Sequence, residues 1–190
     1  ATLSAPDATP SVACQVQAAL GLPENRPALD INAACSGFLY GMAVARGMLT
    51  TLGGQYALVI GCEALSRLMD PTDRSTCVLF GDGAGAMVVK KGAGLLAGVL
   101  CSDPDTRAIR MPNIEGMNSP YNKIAQEPLA MHMDGGEVYK FAVNAMGHRI
   151  EEVCAKAGLA PGEIDWYLPH QANVRIIDAS LKKFKIEKSK

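Results

Sequence analysis

The segment that most constrains the fold is Asp30-Ile-Asn-Ala-Ala-Cys-Ser-Gly-Phe38. Its pattern predicts a buried strand over 28–31 that runs directly into a helix of unusually small residues. Cys35 falls at the junction, where the first N–H groups of a helix have no internal partner and carry partial positive charge. Because such a setting favours a thiolate, we expect the pKa of this thiol to be lowered.

A second junction of the same kind lies 135 residues later, in Leu168-Pro-His-Gln-Ala-Asn173. The pattern predicts a strand over 166–169 that ends at His170, and Asn173 is placed to cap the last helix. Both Cys35 and His170 therefore follow the carboxyl ends of strands, where open α/β sheets usually bind ligands. A helix-start cysteine with a distant histidine is typical of a cysteine nucleophile, although the residues alone also allow a structural cysteine and a strand-end histidine.

Apolar periodicity predicts the remaining elements. Helices are expected over 11–20, 38–52 and 136–157, with Gly158 as the cap of the third. A strand buried on both faces is expected over 56–60. The remaining expectations are a hairpin of strands 76–80 and 86–89, a strand over 95–100, and an irregular segment over 102–132.

Composition excludes several classes of protein. Of 190 residues, 48% are hydrophobic and 19% charged, as in a soluble α/β protein, and the net charge of −1 gives no reason to expect a nucleic-acid or membrane-surface partner. The sequence contains no apolar run of membrane-spanning length and no secretory signal pattern, which favours the cytoplasm. The six cysteines include no Cys-x-x-Cys pair, so we expect reduced thiols, no metal site and no disulfide framework.

The chain opens at Ala1 without a methionine and closes at Lys190 just past a predicted helix. We therefore expect the sequence to be the middle of a longer protein.

Four motifs in order closely resemble the β-ketoacyl-acyl carrier protein synthase III family. They are Asp30 to Gly41 (DINAACSGFLYG), Asp70 to Arg74 (DPTDR), Phe80 to Gly85 (FGDGAG) and Pro169 to Ile177 (PHQANVRII). The resemblance covers essentially the whole chain. It implies a thiolase-like α/β fold with duplicated βαβαβαββ halves in a five-layer αβαβα arrangement, present here in part. Residues 1–93 would form the later part of the first half, and residues 94–190 the earlier part of the second.

The resemblance also implies an activity, namely condensation of an acyl-CoA primer with malonyl-acyl carrier protein by a homodimer that starts fatty-acid synthesis. No cofactor is implied beyond the CoA thioester, which is a substrate. Cys35 and His170 match the catalytic cysteine and histidine of the family. The catalytic asparagine is expected beyond Lys190.

Further site residues follow from the same match. Arg74 matches a position at the adenine end of CoA. The family positions that line the pantetheine channel correspond here to Gly135, Tyr139, Ala172, Asn173 and Ile176. The surface that docks the acidic carrier protein is matched by Gln171, Ala172, Asn173, Val174 and Arg175, and residues 171–190 hold six Lys or Arg against two acids.

Two residues are assigned to the acyl pocket, Phe80 as a wall and Thr9 at a position where some members carry a bulky aromatic. The small Thr9 predicts acceptance of acyl chains longer than acetyl. Three alternatives stay open: a condensing enzyme of secondary metabolism, a hydroxymethylglutaryl-CoA synthase, and a non-catalytic chain that only packs and dimerises.

Overall fold

The computed structural model describes residues 1–111 and 131–184, with the side chains of 183 and 184 left aside. The described residues form two compact units. Unit 1 comprises Ala1–Lys91 with Met111 and Met131, and unit 2 comprises Gly92–Arg110 and the residues from His132 onward. The sequence prediction for 112–130 lies outside the described residues.

Unit 1 contains two helices and two strands. They are α1 (Val12–Ala19), α2 (Gly37–Thr51), β1 (Tyr56–Ala64) and β2 (Asp82–Lys90). Short 3₁₀ turns at Ala34–Ser36 and Leu65–Leu68 precede α2 and follow β1. The two predicted helices are thus confirmed.

The start of α1 is capped twice. The Ser11 side chain accepts a hydrogen bond from Cys14 N at 3.1 Å. The Asp30 carboxylate accepts from Val12 N at 2.7 Å and from Ala13 N at 2.9 Å. A carboxylate at this end of a helix satisfies unpaired N–H groups and interacts favourably with the helix dipole.

Helix α2 approaches β1 closely because glycines lie at the contact. A Cβ added to Gly41 would lie 3.1 Å from Val59 Cγ1, and one added to Gly61 would lie 3.7 Å from Phe38. Ala45 and Val59 are buried in this part of unit 1. Glycine within a helix costs helix propensity, and here the cost is offset by packing of the helix on the strand.

Strands β1 and β2 pair antiparallel along their whole length, from Tyr56↔Lys90 to Ala64↔Asp82. The predicted partner strand over 76–80 is wrong. Residues 76–79 are turn, because the Asp73 side chain accepts from Ser75 N at 2.9 Å and from Thr76 Oγ1 at 2.7 Å and so holds the backbone in a turn. Thr76 is only 2% exposed.

Unit 2 contains α3 (Gly135–Ala157), α4 (Val174–Phe184) and a short antiparallel pair, β3 (Ile109–Arg110) and β4 (His132–Met133). The Asp134 side chain caps α3 by accepting from Gly136 N at 3.0 Å and Glu137 N at 3.1 Å. Helices α3 and α4 pack against each other, with Ser180 fully buried and its hydroxyl donating to Ile176 O at 2.9 Å.

Three further predicted strands are not formed. Segment 28–31 has one backbone bond to the chain start, Thr2 N to Ile31 O at 3.0 Å, and the described residues give 95–100 and 166–169 no strand partner. A strand needs a paired ladder, and these segments are largely open. Leu168 is 91% exposed and Trp166 74%. The prediction that the strand over 56–60 is buried on both faces is also wrong, because Tyr56 in β1 is exposed.

Among the described helices, none is long and apolar enough to cross a bilayer.

The end of α3 depends on a left-handed residue. Gly158 has φ +73°, its N–H donates to Ala155 O at 3.1 Å, and Leu159 N donates to Cys154 O at 3.0 Å. We expect Gly158→Ala to lower the free energy of unfolding by about 1–2 kcal/mol, because a Cβ is disfavoured in this conformation. Urea unfolding followed by circular dichroism measures the change.

The matched control is Gly162→Ala, where no positive φ occurs and an added Cβ would meet no atom within 4 Å. It should change the same free energy by less than about 1 kcal/mol. Equal effects of the two variants would contradict the assignment of the cap.

Candidate active site

Cys35 lies in a tight turn between segment 28–33 and α2. Ala34 has φ +46°, a left-handed conformation that is uncommon for a residue other than glycine. The turn is held by Ala34 N donating to Asn32 Oδ1 at 3.2 Å and Ser36 N donating to Ala33 O at 3.0 Å. Strained backbone of this kind persists only where the surrounding structure enforces it, and it is concentrated at functional sites.

The thiol is not activated by this position. Cys35 is exposed as a residue, but protein atoms around the thiol partly desolvate it, and this desolvation raises its pKa. A hydrogen bond from its own backbone N–H acts in the opposite direction, and the nearby charge of Glu63 raises the pKa further. The predicted lowering of this pKa is therefore wrong, because desolvation and a carboxylate outweigh the helix-start N–H.

Glu63 is the carboxylate whose negative charge raises the pKa of the Cys35 thiol. The sequence analysis did not single out this residue. It accepts hydrogen bonds from Leu3 N at 3.0 Å and from Ser4 Oγ at 2.5 Å. The signal available in the sequence was an acidic residue at the end of an otherwise apolar strand, which needs partners when it is not exposed.

An open groove of about 930 Å³ lies beside the Cys35 turn within unit 1. Asn32 and Ala34 line it, so it reaches the residue next to Cys35. Thr9 lines it as well, as do Arg67 and its neighbour Leu68. Of the two residues predicted for the acyl pocket, Thr9 therefore faces this groove, while half-buried Phe80 is not among its lining residues.

Arg74 is exposed on a double turn built by two aspartates. Asp70 accepts from Thr72 Oγ1 at 2.7 Å and from Thr72 N at 2.8 Å, and these two bonds lower the pKa of the Asp70 carboxyl. Asp73 accepts from Ser75 Oγ at 2.6 Å and from the backbone N–H of the same residue. The two Asx turns fix the backbone on both sides of Arg74.

The other predicted site residues belong to unit 2. Gly135 and Tyr139 lie in the first turns of α3, directly after its cap. Asn173 caps α4 as predicted, with Oδ1 accepting from Arg175 N at 2.9 Å. Ile176 is buried. The exposed residues at this end of unit 2 are His170, Gln171, Ala172, Asn173, Val174 and Arg175.

The structure thus brings together residues within each unit. Thr9 and the Cys35 turn share one groove in unit 1, and His170 with the start of α4 forms one exposed cluster in unit 2. Within the described ranges, no group of three or more His, Cys, Asp or Glu is arranged to hold a metal ion. Of the lysines in residues 171–190, Lys185, Lys188 and Lys190 lie outside the described residues.

The left-handed backbone at Ala34 predicts a specific sensitivity. We expect Ala34→Val to lower the free energy of unfolding by about 1–2 kcal/mol relative to Ala34→Gly, because a branched side chain is least compatible with positive φ. The measurement is urea unfolding of both variants.

Ala43→Val, at an exposed position within α2, serves as the control and should cost no more than about 0.7 kcal/mol. An Ala34→Val chain as stable as Ala34→Gly would show that the turn carries no strain.

Comparison with known proteins places the chain in a family. The family model for 3-oxoacyl-[acyl-carrier-protein (ACP)] synthase III matches residues 29–104, and the model for the C terminal part of the same enzyme matches residues 154–190. The β-ketoacyl-[acyl-carrier-protein] synthase III of Coxiella burnetii (strain RSA 493 / Nine Mile phase I) is 42% identical over 176 residues, covering 92% of this chain and 53% of the relative. The enzyme of the same name from Bordetella petrii is 43% identical over 183 residues, covering 95% and 54%.

Solved structures agree. The β-ketoacyl-[acyl carrier protein] synthase III of Thermus thermophilus superposes with a TM-score of 0.86 at 37% identity, covering 98% of this chain and 58% of that one. The 3-oxoacyl-(acyl carrier protein) synthase III of Pseudomonas aeruginosa PAO1 gives 0.87 at 33% identity, covering 98% and 57%. The chain spans about half the length of the curated relatives it matches. The predicted thiolase-like α/β fold is confirmed by these similarities, and the chain belongs to the β-ketoacyl-[acyl-carrier-protein] synthase III family.

Proposed function

We propose that this protein catalyses the decarboxylative Claisen condensation of an acyl-CoA primer with malonyl-acyl carrier protein, which starts fatty-acid synthesis. The observation that carries the proposal is the position of Cys35, an exposed residue on a tight left-handed turn whose neighbour Ala34 lines an open groove. Family membership supplies the reaction type, and the geometry at Cys35 supports the role of that residue as the nucleophile.

In the first step, Cys35 Sγ attacks the carbonyl carbon of the acyl-CoA. A new carbon–sulfur bond forms, the bond to CoA breaks, and the thiol proton passes to the departing CoA sulfur. The backbone N–H of Cys35 acts on its own sulfur and lowers the pKa of the thiol, against the larger effect of desolvation. Once the sulfur is acylated, this donor is available for the oxygen of the tetrahedral intermediate.

In the second step, His170 donates a hydrogen bond to the thioester carbonyl of the malonyl unit. Loss of CO₂ leaves its electron pair on an enolate, whose negative oxygen this donor stabilises. The enolate carbon attacks the acyl group on Cys35, and the released sulfur recovers a proton. The product is 3-oxoacyl-acyl carrier protein.

Binding is assigned to the exposed cationic and polar residues. We assign Arg74, which lies within the Asx turn of Asp73 and Ser75, to the phosphate-bearing adenine end of CoA. Arg175 at the start of α4 is exposed and suits the acidic surface of a carrier protein. A homodimer and a cytoplasmic location belong to the same proposal.

The nucleophile is tested by intact-mass spectrometry after mixing the protein with a panel of acyl-CoAs. We expect an acyl adduct in the parent chain and its complete loss in Cys35→Ala, because only this thiol forms the thioester.

Cys101→Ala is the matched control, since Cys101 is also exposed but lies in unit 2, and it should retain the adduct. An adduct that survives Cys35→Ala would assign the nucleophile elsewhere.

Chain-length preference is tested at Thr9. Because Thr9 lines the groove and is small, we expect Thr9→Phe to reduce transfer from acyl-CoAs longer than acetyl by about tenfold or more, while acetyl transfer is retained. The measurement is the initial rate of acyl transfer along a series of acyl-CoAs.

Thr9→Ser keeps the side chain small and should leave the preference of the parent protein. The assignment of Thr9 to the acyl pocket is lost if Thr9→Phe shows the same profile across the series.

A further inference from the structure

Glu63 lies on the face of β1 that packs against α2. Alternate residues of a strand point to the same face. Two residues on this face already contact the helix: Val59 Cγ1 lies 3.1 Å from the position of a Cβ on Gly41, and a Cβ on Gly61 would lie 3.7 Å from Phe38. Two residues forward along β1 therefore correspond to one helical turn backward along α2.

The next step of this register leads from Gly61 to Glu63 on the strand and from Phe38 to the turn of Cys35 on the helix side. This register places the Glu63 position of β1 beside the turn that carries Cys35. The electrostatics agree, because the charge of Glu63 raises the pKa of the Cys35 thiol, in addition to the larger effect of desolvation.

The carboxylate is fixed in this position by the first residues of the chain. Leu3 N donates to its two oxygens at 3.0 and 3.2 Å, Ser4 Oγ donates at 2.5 Å, and Thr2 Oγ1 donates at 3.3 Å. Ser4 Oγ in turn accepts from Ala64 N at 2.7 Å. A side chain held by this many donors cannot swing out toward solvent.

Other charged groups on the neighbouring segments are already engaged. The Asp30 carboxylate caps α1, and Arg67 donates to Ser4 O at 3.4 Å. Among the charges around the Cys35 turn in unit 1, Glu63 is the one that bears on the thiol.

We propose that Glu63 is a positioning residue for the nucleophile: its fixed negative charge, held beside the Cys35 turn, adds to the effect of desolvation in keeping the thiol protonated until a thioester occupies the site. This inference rests on the proposed role of Cys35 as nucleophile. A carboxylate disfavours a neighbouring thiolate but not a neutral thioester, so it lowers the reactivity of the free thiol without opposing the acyl-enzyme. After condensation, the same charge favours return of a proton from water to the released sulfur.

The test is the pH profile of Cys35 alkylation by iodoacetamide in the parent chain and in Glu63→Gln. Peptide mass spectrometry separates Cys35 from the other cysteines. The glutamine keeps the size of the side chain and a hydrogen-bond acceptor but removes the charge. We expect the midpoint of the profile to move to lower pH, and the rate at neutral pH to rise about three- to tenfold.

Three control variants distinguish the effect of the negative charge at Glu63 from the effect of its hydrogen bonds. Glu63→Asp retains the charge and should restore the parent midpoint. Ser4→Ala removes one hydrogen bond to the carboxylate but not the charge, and should also keep the parent midpoint. Glu24→Gln makes the same charge change at an exposed loop position and should have no effect.

An unchanged midpoint in Glu63→Gln overturns the proposal. So does slower alkylation of this variant at every pH, which would make Glu63 a proton acceptor for the thiol, and so does an equal shift in Ser4→Ala. If circular dichroism shows that Glu63→Gln does not fold, the same profile is measured on Glu63→Met, which also keeps the length of the side chain and removes the charge. An unchanged midpoint in that variant overturns the proposal.

The proposed function and the proposed role of Glu63 are tested by independent measurements. Alkylation reports the ionisation of Cys35 whether or not the thiol accepts an acyl group. Loss of acyl transfer in the parent protein would remove the proposed function, and an unchanged alkylation profile would remove only the role of Glu63.

Discussion

The close approach of α2 to β1 is the constraint on which the rest of unit 1 depends. Glycines at 41 and 61 let the helix backbone lie against the strand, with Val59 and Phe38 filling the contact. This packing fixes where the first turn of α2 lies relative to the end of β1. The turn of Cys35, with the left-handed Ala34 before it, begins directly before α2, so this packing also sets where the turn lies relative to β1.

Within unit 1, two opposing influences act on the thiol of Cys35, the proposed nucleophile. The helix start offers an N–H donor that favours negative charge on sulfur, while partial desolvation and Glu63 disfavour it. The balance falls on the side of a neutral thiol, because a full charge and lost solvation outweigh a single peptide dipole. A helix-start cysteine is therefore not by itself evidence of a thiolate.

The helices could be predicted from the sequence because their signals are local. Asn173 at the start of α4 and Gly158 at the end of α3 act through their own side chain or backbone, and both were placed correctly. Strands depend on partners that local patterns do not show, so 76–80 was misassigned to a strand that the Asp73 turn excludes. The Cys35 junction was recognisable from its motif. Glu63 was not, because its importance arises from partners that are about sixty residues away in sequence.

The long-range cap on α1 has a consequence for how substrate preference can vary. Asp30 ties the start of α1 to the segment that leads into Cys35, five residues further on, while Thr9 lies just before the capped end. One wall of the groove is thus tied to the segment of Cys35 through Asp30, and residues 5–10 lie between this anchor and the contacts of Leu3 and Ser4 with Glu63. Under the proposed function, substitutions at 5–10 would reshape that wall while the cysteine keeps its place, so selectivity and reactivity would evolve as separate traits on the same loop.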